Sequence, residues 1–334
     1  MTKILIIATE YPPEGSGIAN VVKALGDGFN KNGHEVTIEY PSEKMWKKIL
    51  THGGVGLLKF WKKQAFDINN GKHRDKDIIM LHNPLLPEEI YVQPEKIICT
   101  VHTTYKGRWA HMPYALWPKD IFKNVYHRWM VHKEKSCYKN MADLKFTALT
   151  TQVRDEIETL GIEAIEVDII PNGVDTDVFC LGEKKVKDSF CVATRLCEWK
   201  GVEKVVRNFK INNISMLGSL KVAGDGPLKK KLEKIAGVDK RIQFLGKISK
   251  EEIIKLFQES AYYISQSEYE GMPLTLLEAM SCGCFPIVSD IPGHKEVADQ
   301  TTLFATPESI HKFIKENYSW SKVVDKYEVL FDET

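Results

Sequence analysis

One pattern occurs twice in this chain and leaves it few folds: a short unbroken apolar run, a glycine-rich turn, an amphipathic helix and a second apolar run. Lys3–Ala8 reads KILIIA, the composition of a strand buried on both faces. The segment Pro12-Pro13-Glu14-Gly15-Ser16-Gly17 ends it. Ile18, Val21, Val22, Leu25 and Phe29 then recur three or four residues apart, the spacing of one helical face, and Gly33 closes that helix. Residues 36–40 supply the second strand. A βαβ unit of about forty residues opens a doubly wound parallel sheet, and further strands are expected at 77–81, 97–102 and 146–149.

The pattern restarts at residues 189–193, followed by a helix over 202–209, a strand at 220–223 and a helix over 228–235. Strands at 242–245, 262–265 and 285–289 alternate with helices over 250–259 and 273–280. Between the halves, Pro171-Asn172-Gly173-Val174-Asp175 provides turn residues. With 334 residues the chain exceeds what one core ordinarily serves, so two α/β domains are expected. A net charge of +1 argues against a dedicated nucleic-acid binder. The seven cysteines are odd in number and form no framework, and Cys282-x-Cys284 lacks the spacing of a metal clip, so reduced packing thiols are expected. The apolar N-terminus is too short for a secretory leader, and no stretch reaches the ~18 apolar residues of a membrane span. A cytoplasmic protein, peripheral on a membrane at most, is expected.

The densest chemical signal is SQSEYEGMPLTLLE, residues 265–278. Pro273 suits the first turn of a helix and Gly283 its end. Glu270 then lies just before the helix and Glu278 inside it, up to about 12 Å apart at ~1.5 Å per residue. Between them a helix N-terminus offers free amides and a positive dipole end. Carboxylate, anion cradle and carboxylate would match the sugar, diphosphate and ribose of a nucleotide-sugar. On spacing alone, two ordinary glutamates flanking a capped helix fit as well.

Glu270-x7-Glu278 followed by Ala279-Met280, Gly283 and Pro286 resembles the signature of retaining glycosyltransferases of family GT4, which have the GT-B fold. PPEGSG at 12–17, PNGVD at 171–175, TRLCEWKG at 194–201, AGDGP at 223–227 and FLGKIS at 244–249 follow in family order, and Tyr318-Ser319-Trp320 resembles the start of the family's terminal helix. The resemblance implies two Rossmann-like α/β domains facing a cleft: residues 1–170 for the acceptor, 171–315 for the nucleotide-sugar, and a helix over 316–334 returning to the first domain. It implies Arg195 and Lys200 on the donor diphosphate, Glu270 with Gly271, Met272 and Leu274 at the donor sugar and phosphates, and Glu278 on the ribose. It also implies Gly15 and Gly17 as a close-approach loop, Lys247 and Ile248 as main-chain contacts to the base, and His102 near sugar and acceptor. The family more often has adjacent glycines where Ser16 separates Gly15 from Gly17. The implied reaction retains configuration by front-face attack, without a cofactor; no Asp-x-Asp motif of metal-dependent transferases is read in the chain, so no required metal is expected. UDP is the expected nucleotide.

The neutral total hides one asymmetry. Residues 44–76 hold nine basic and two acidic residues, interleaved with Trp46, Ile49, Leu50, Leu57, Leu58, Phe60, Trp61 and Phe66. Residues 105–135 are rich in Trp, Tyr and basic side chains. Lysines beside tryptophans suit an anionic membrane surface and a lipid-linked or glycan acceptor, whereas a core-facing helix with solvated lysines is the alternative, and Gly53-Gly54-x-Gly56 breaks the run. A sugar-nucleotide 2-epimerase, an inactive binding scaffold of the same fold and a transferase acting on nucleic acid are the rival functions. The four intact site residues argue against the scaffold.

Overall fold

A computed structural model describes residues 1–10, 17–111, 118–163, 166–211, 218–299 and 306–332. The chain forms two compact units, Met1–Asn172 with Val323–Thr334, and Gly173–Lys322. Residues 316–322, expected with the terminal helix of the first domain, group with the second unit. The Val174 amide donates to the Tyr318 carbonyl at 2.8 Å, and the Trp320 amide donates to the Val174 carbonyl at 3.3 Å. A Cβ on Gly173 would sit 2.5 Å from the Trp320 ring.

Unit 1 is a six-stranded parallel sheet of β1 (Lys3–Ala8), β2 (Glu35–Glu39), β3 (Ile78–His82), β4 (Ile97–Val101), β5 (Lys145–Ala148) and β6 (Val167–Ile169). The order is β2-β1-β3-β4-β5-β6, so the winding reverses between β1 and β3. The edge strand β6 was not expected: three residues, VDI, are too few to show alternation or a run. Ile4 to Ala8 are fully buried, which accounts for the unbroken apolar run. Helix α1 (Gly17–Lys31) buries Val21, Val22, Leu25 and Phe29, the expected face.

Helices α2 (Glu43–His52) and α3 (Gly54–Asn69) meet at Gly53, whose φ of +50° caps one and begins the other. Phe60 and Trp61, read as aromatics of a membrane interface, are instead in the core with Ala65 and Ile68. Met45, Ile49, Leu57 and Leu58 pack against that core. Helix periodicity explains the difference: Phe60, Trp61, Ala65 and Ile68 fall on the inner face, and Lys59, Lys62 and Lys63, with Val55 and Phe66, on the outer. Helices α4 (Tyr105–Ala110), α5 (Pro118–Lys139) and α6 (Thr151–Glu158) complete the layer before the chain leaves this unit.

Unit 2 is a five-stranded parallel sheet of β7 (Val186–Ala193), β8 (Ser219–Ala223), β9 (Ile242–Gly246), β10 (Ser260–Ser265) and β11 (Phe285–Val288). Its order, β11-β10-β7-β8-β9, reverses between β7 and β10. Helices α7 (Val202–Ile211), α8 (Lys229–Ala236), α9 (Lys250–Glu259), α10 (Leu274–Ser281), α11 (Pro292–Ala298) and α12 (Pro307–Tyr318) cover it. The last helix, α13 (Trp320–Asp332), buries Val323, Val324, Tyr327 and Leu330 in unit 1. There Tyr327 packs edge-on against Phe29 at 6.3 Å between ring centroids, and its hydroxyl lies 3.2 Å from Thr100 Oγ1. Burying one such aromatic stabilises by roughly 1.5–3 kcal/mol.

Candidate active site

In an open parallel sheet, loops at the carboxyl ends of the two strands flanking a reversal diverge and leave a crevice. In unit 2 those strands are β7 and β10, and their loops carry Arg195, Lys200 and Glu270. The loops are tightly joined. Glu268 donates its amide to the Trp199 carbonyl at 2.8 Å, and a Cβ on Gly201 would come within 1.8 Å of the Gln266 carbonyl oxygen. Gly201 also has φ +63°, so this contact requires glycine twice over. The loop after β8 joins them: the Leu196 amide donates to the Asp225 carbonyl and the Leu228 amide to the Leu196 carbonyl.

This framework brings Lys200 Nζ to 2.5 Å from Glu270 Oε1, with both side chains largely enclosed. Lys200 also lies over the Trp199 ring, 4.2 Å from its centroid. Lys200 thus spans to the carboxylate and not back to strand carbonyls, the other course open to it from sequence. Arg195 is exposed, and its guanidinium makes no hydrogen bond or ion pair among the described residues. Gly271 and Met272 are buried in the bend that follows Glu270, and Leu274 is the first residue of α10.

Pro273 stands one position before α10, with φ −77° and ψ 112°, and not in its first turn as expected. It offers no side-chain cap, so the α10 amide end stays uncapped by side chains. The other end is closed by bonds from the Gly283 amide to the Met280 carbonyl and from the Cys284 amide to the Ala279 carbonyl, with Gly283 at φ +80°. The Glu278 carboxyl makes no hydrogen bond among the described residues, and burial pushes it up to about 7 despite the charge of Lys250. Its side chain is half-buried. Lys247 and Ile248 lie in the loop between β9 and α9, the former exposed.

Two residues near this cluster escaped the sequence reading. His294 is fully buried; its Nδ1 lies 3.0 Å from Ser289 Oγ, and its Nε2 has no partner among the described residues. Burial lowers its proton affinity, opposed by Glu270 and aided by Lys200. Lys250 is the cation nearest in effect to Glu278. Neither stands in a motif, but both sit in the first turns of helices, α11 and α9, that follow strands of this sheet, which was the available signal. A cavity of about 270 Å3 beside α7 is lined by Glu203, Lys204 and Arg207, whose charges are paired with Glu268 and with each other.

In unit 1 the reversal lies between β1 and β3. Gly17 begins α1, whereas Gly15 falls outside the described residues. His102, after β4, is buried, and its Nε2 lies 2.9 Å from Nδ1 of the equally buried His82. Burial holds His102 down to about 3, so it is neutral at physiological pH. Two Asp-x-Asp tripeptides occur that the sequence reading overlooked. Asp77 Oδ2 accepts the Lys3 amide at 2.7 Å and Asp75 pairs with Lys76, while Asp175 Oδ1 accepts the amides of Asp177 and Val178. The carboxylates of Asp75, Asp77 and Asp175 are engaged by the chain's own amides and lysine, and among the described residues no three His, Cys, Asp or Glu side chains group as metal ligands.

Residues 175–331 match the family of glycosyl transferases group 1, and residues 15–178 match glycosyltransferase family 4. The chain belongs to the family 4 glycosyltransferases. An uncharacterized glycosyltransferase of Methanocaldococcus jannaschii is 28% identical over 55% of this chain and 57% of its own. One component of the phosphatidylinositol N-acetylglucosaminyltransferase of Arabidopsis thaliana is 23% identical over 60% of this chain and 52% of its own. The chain thus spans little more than half the length of these relatives. HepE of Anabaena, solved with UDP and glucose, superposes with a TM-score of 0.66 at 12% identity, covering all of both chains. The fold is GT-B, the expected class. Among the described residues no helix is long and apolar enough to cross a membrane.

Proposed function

We propose that this family 4 glycosyltransferase moves a sugar from a nucleoside-diphosphate sugar to an acceptor hydroxyl with retention of configuration. The Lys200–Glu270 pair at the strand reversal of unit 2 carries the reading. Its lysine and the unpaired Arg195 supply two cations for the diphosphate, the uncapped α10 amides supply dipoles for the same anion, and Glu270 offers its second oxygen to a sugar hydroxyl. Glu278, unpartnered four residues into α10, is the ribose ligand. Gly271, Met272 and Leu274 line the bend, the backbone of Lys247 and Ile248 meets the base, and Gly15, Gly17 and His102 serve from unit 1.

The anomeric carbon–oxygen bond to the diphosphate breaks as the acceptor oxygen bonds to that carbon on the same face. The acceptor proton passes to a phosphate oxygen of the leaving diphosphate. Neither a protein nucleophile nor a metal is required. UDP is the nucleotide, in keeping with the neighbour solved with UDP, and the acceptor is lipid-linked or glycan, in keeping with the phosphatidylinositol-modifying relative. A peripheral site on an anionic cytoplasmic membrane face rests on what segments 44–76 and 105–135 leave outside: Val55, Lys59, Phe66 and Val125.

A thermal-shift panel of UDP-, GDP- and ADP-sugars tests the reading, since a ligand at 100 times its Kd raises stability by about 2.7 kcal/mol. One nucleotide class should raise Tm in the wild type and fail to do so in Arg195→Ala or Lys200→Ala. Equal shifts in wild type and both variants would defeat the proposal.

A further inference from the structure

The strand reversal of unit 1 opens a second cavity, of about 260 Å3, that no residue of the donor cluster enters. Its floor comes from the three strand ends beside the reversal: Glu10 after β1, Asn83 after β3 and Thr103 after β4, with Arg108 of α4 above them. Its walls include Trp46 and Leu57 of the α2–α3 pair and Tyr126 of α5.

The chain fixes the polar groups of the floor individually. Asn83 Oδ1 accepts the amides of His102 at 3.0 Å and Thr103 at 3.3 Å, which leaves its Nδ2 hydrogens without a partner among the described residues. This asparagine holds φ +55°, a conformation that side chains seldom adopt, so the amide is presented at a cost in backbone strain. Glu10 Oε2 is buried and has no hydrogen-bond partner among the described residues. Arg108 donates from Nη2 to Thr103 Oγ1 at 2.7 Å and faces Glu10 electrostatically. The Tyr126 hydroxyl is spent on the Gly54 amide at 2.7 Å, so this residue offers the cavity its ring.

The pattern is a donor, an acceptor and a second donor on one side, and aromatic and aliphatic faces on the other. A buried polar group left unpaired, as Glu10 Oε2 is, costs about 1–3 kcal/mol, which a ligand hydroxyl would recover. Among the described lining residues Glu10 and Arg108 are the only formal charges and are of opposite sign, so a phosphate here would meet a carboxylate with no spare cation among them. The volume lies just below the range of ligand pockets, about 300–1,000 Å3, and suits one ring.

We infer that this cavity is the acceptor subsite, that it takes a single uncharged glycosyl ring, and that Asn83, Glu10 and Trp46 determine which ring. The inference rests on the transferase reading above and narrows its acceptor from any hydroxyl to a neutral sugar. Asn83 and Glu10 read the hydroxyl edge, and Trp46 covers the carbon–hydrogen face.

The test is saturation-transfer NMR on the full chain with saturating UDP present, using methyl glycosides of glucose, galactose, mannose and N-acetylglucosamine, and glucose 6-phosphate as the charged probe. At least one methyl glycoside should bind saturably, with Kd weakened tenfold or more by Asn83→Asp and by Glu10→Gln. Asn83→Asp keeps the oxygen that anchors the two amides, so the fold survives while the donor is lost. UDP affinity, read in the same samples, should stay within twofold. Absence of glycoside binding to the wild type, binding insensitive to both variants, or glucose 6-phosphate binding as tightly as its parent sugar would overturn the inference. Failure of UDP to bind would instead count against the donor reading.

Discussion

The two units solve one geometric problem with opposite chemistry. Each is a parallel sheet whose winding reverses beside its first strand, and each carries candidate side chains on the loops at that reversal. In unit 2 the crevice is lined with formal charge, Lys200 joined to Glu270 and Arg195 left over, on loops locked by backbone contacts too close for any side chain. In unit 1 the cavity is electrically balanced and lined by aromatics and amides. On the proposed roles a charged diphosphate would meet the first and a neutral polyol the second, so it is electrostatic content that distinguishes two otherwise similar sheets.

The sharpest way to break the comparison is to remove charge from unit 2. Lys200→Ala should lower kcat roughly 10²–10³-fold, the usual cost of deleting one preorganised stabiliser of transition-state charge. Glycoside binding to unit 1 should not change, and steady-state kinetics beside NMR titration checks both. Gly201→Ala forces a methyl into the Gln266 carbonyl at a left-handed φ. It should cost several kcal/mol, more than the ~1 kcal/mol of an ordinary strained glycine site, with Tm falling and activity falling with it.

Each unit also buries one glutamate that holds its proton to about pH 7, against an ordinary value of 4.5: Glu278 in unit 2 and Glu134 in unit 1. Burial is the main cause in both. The Glu134 carboxylate accepts the amides of Tyr105 and Lys106 and so caps α4, which offsets the cost in part. Because the folded state keeps these protons after the unfolded chain has released them, stability falls as pH rises from about 4.5 to about 7 and levels off above. Glu278→Gln should flatten that slope and raise stability above pH 7, while weakening donor affinity about tenfold. Glu134→Gln should destabilise, since an amide cannot accept both backbone hydrogens. Urea denaturation across pH 4–9 distinguishes the two. The smallest effect is expected at the surface: Phe66→Ser should reduce flotation on anionic vesicles a few-fold and leave both ligand affinities unchanged.

Sequence reading recovered the elements whose apolar runs or helical spacing are long, and missed β6, whose three residues carry no period. It singled out Glu270, Glu278, Arg195 and Lys200 because they stand in ordered motifs. It could not see His294 or Asn83, because each gains its importance from a partner brought near by the fold: Ser289 and the Lys200–Glu270 pair for the first, the amides after β4 for the second. It misjudged Trp61 and Phe60 because lysines and tryptophans alternate along the chain as they would at a membrane, and only the helical face shows the aromatics turning inward.

The cysteines, bland as a framework, are arranged as reporters. Cys99 and Cys137 are buried in unit 1, and Cys191, Cys282 and Cys284 in unit 2, all unbridged. A thiol enclosed this way reacts with a labelling reagent when its surroundings open. The rates at the two groups, read from one sample by mass spectrometry, would time the breathing of each unit separately, and a donor that steadies only unit 2 would slow three of these five clocks and leave two running.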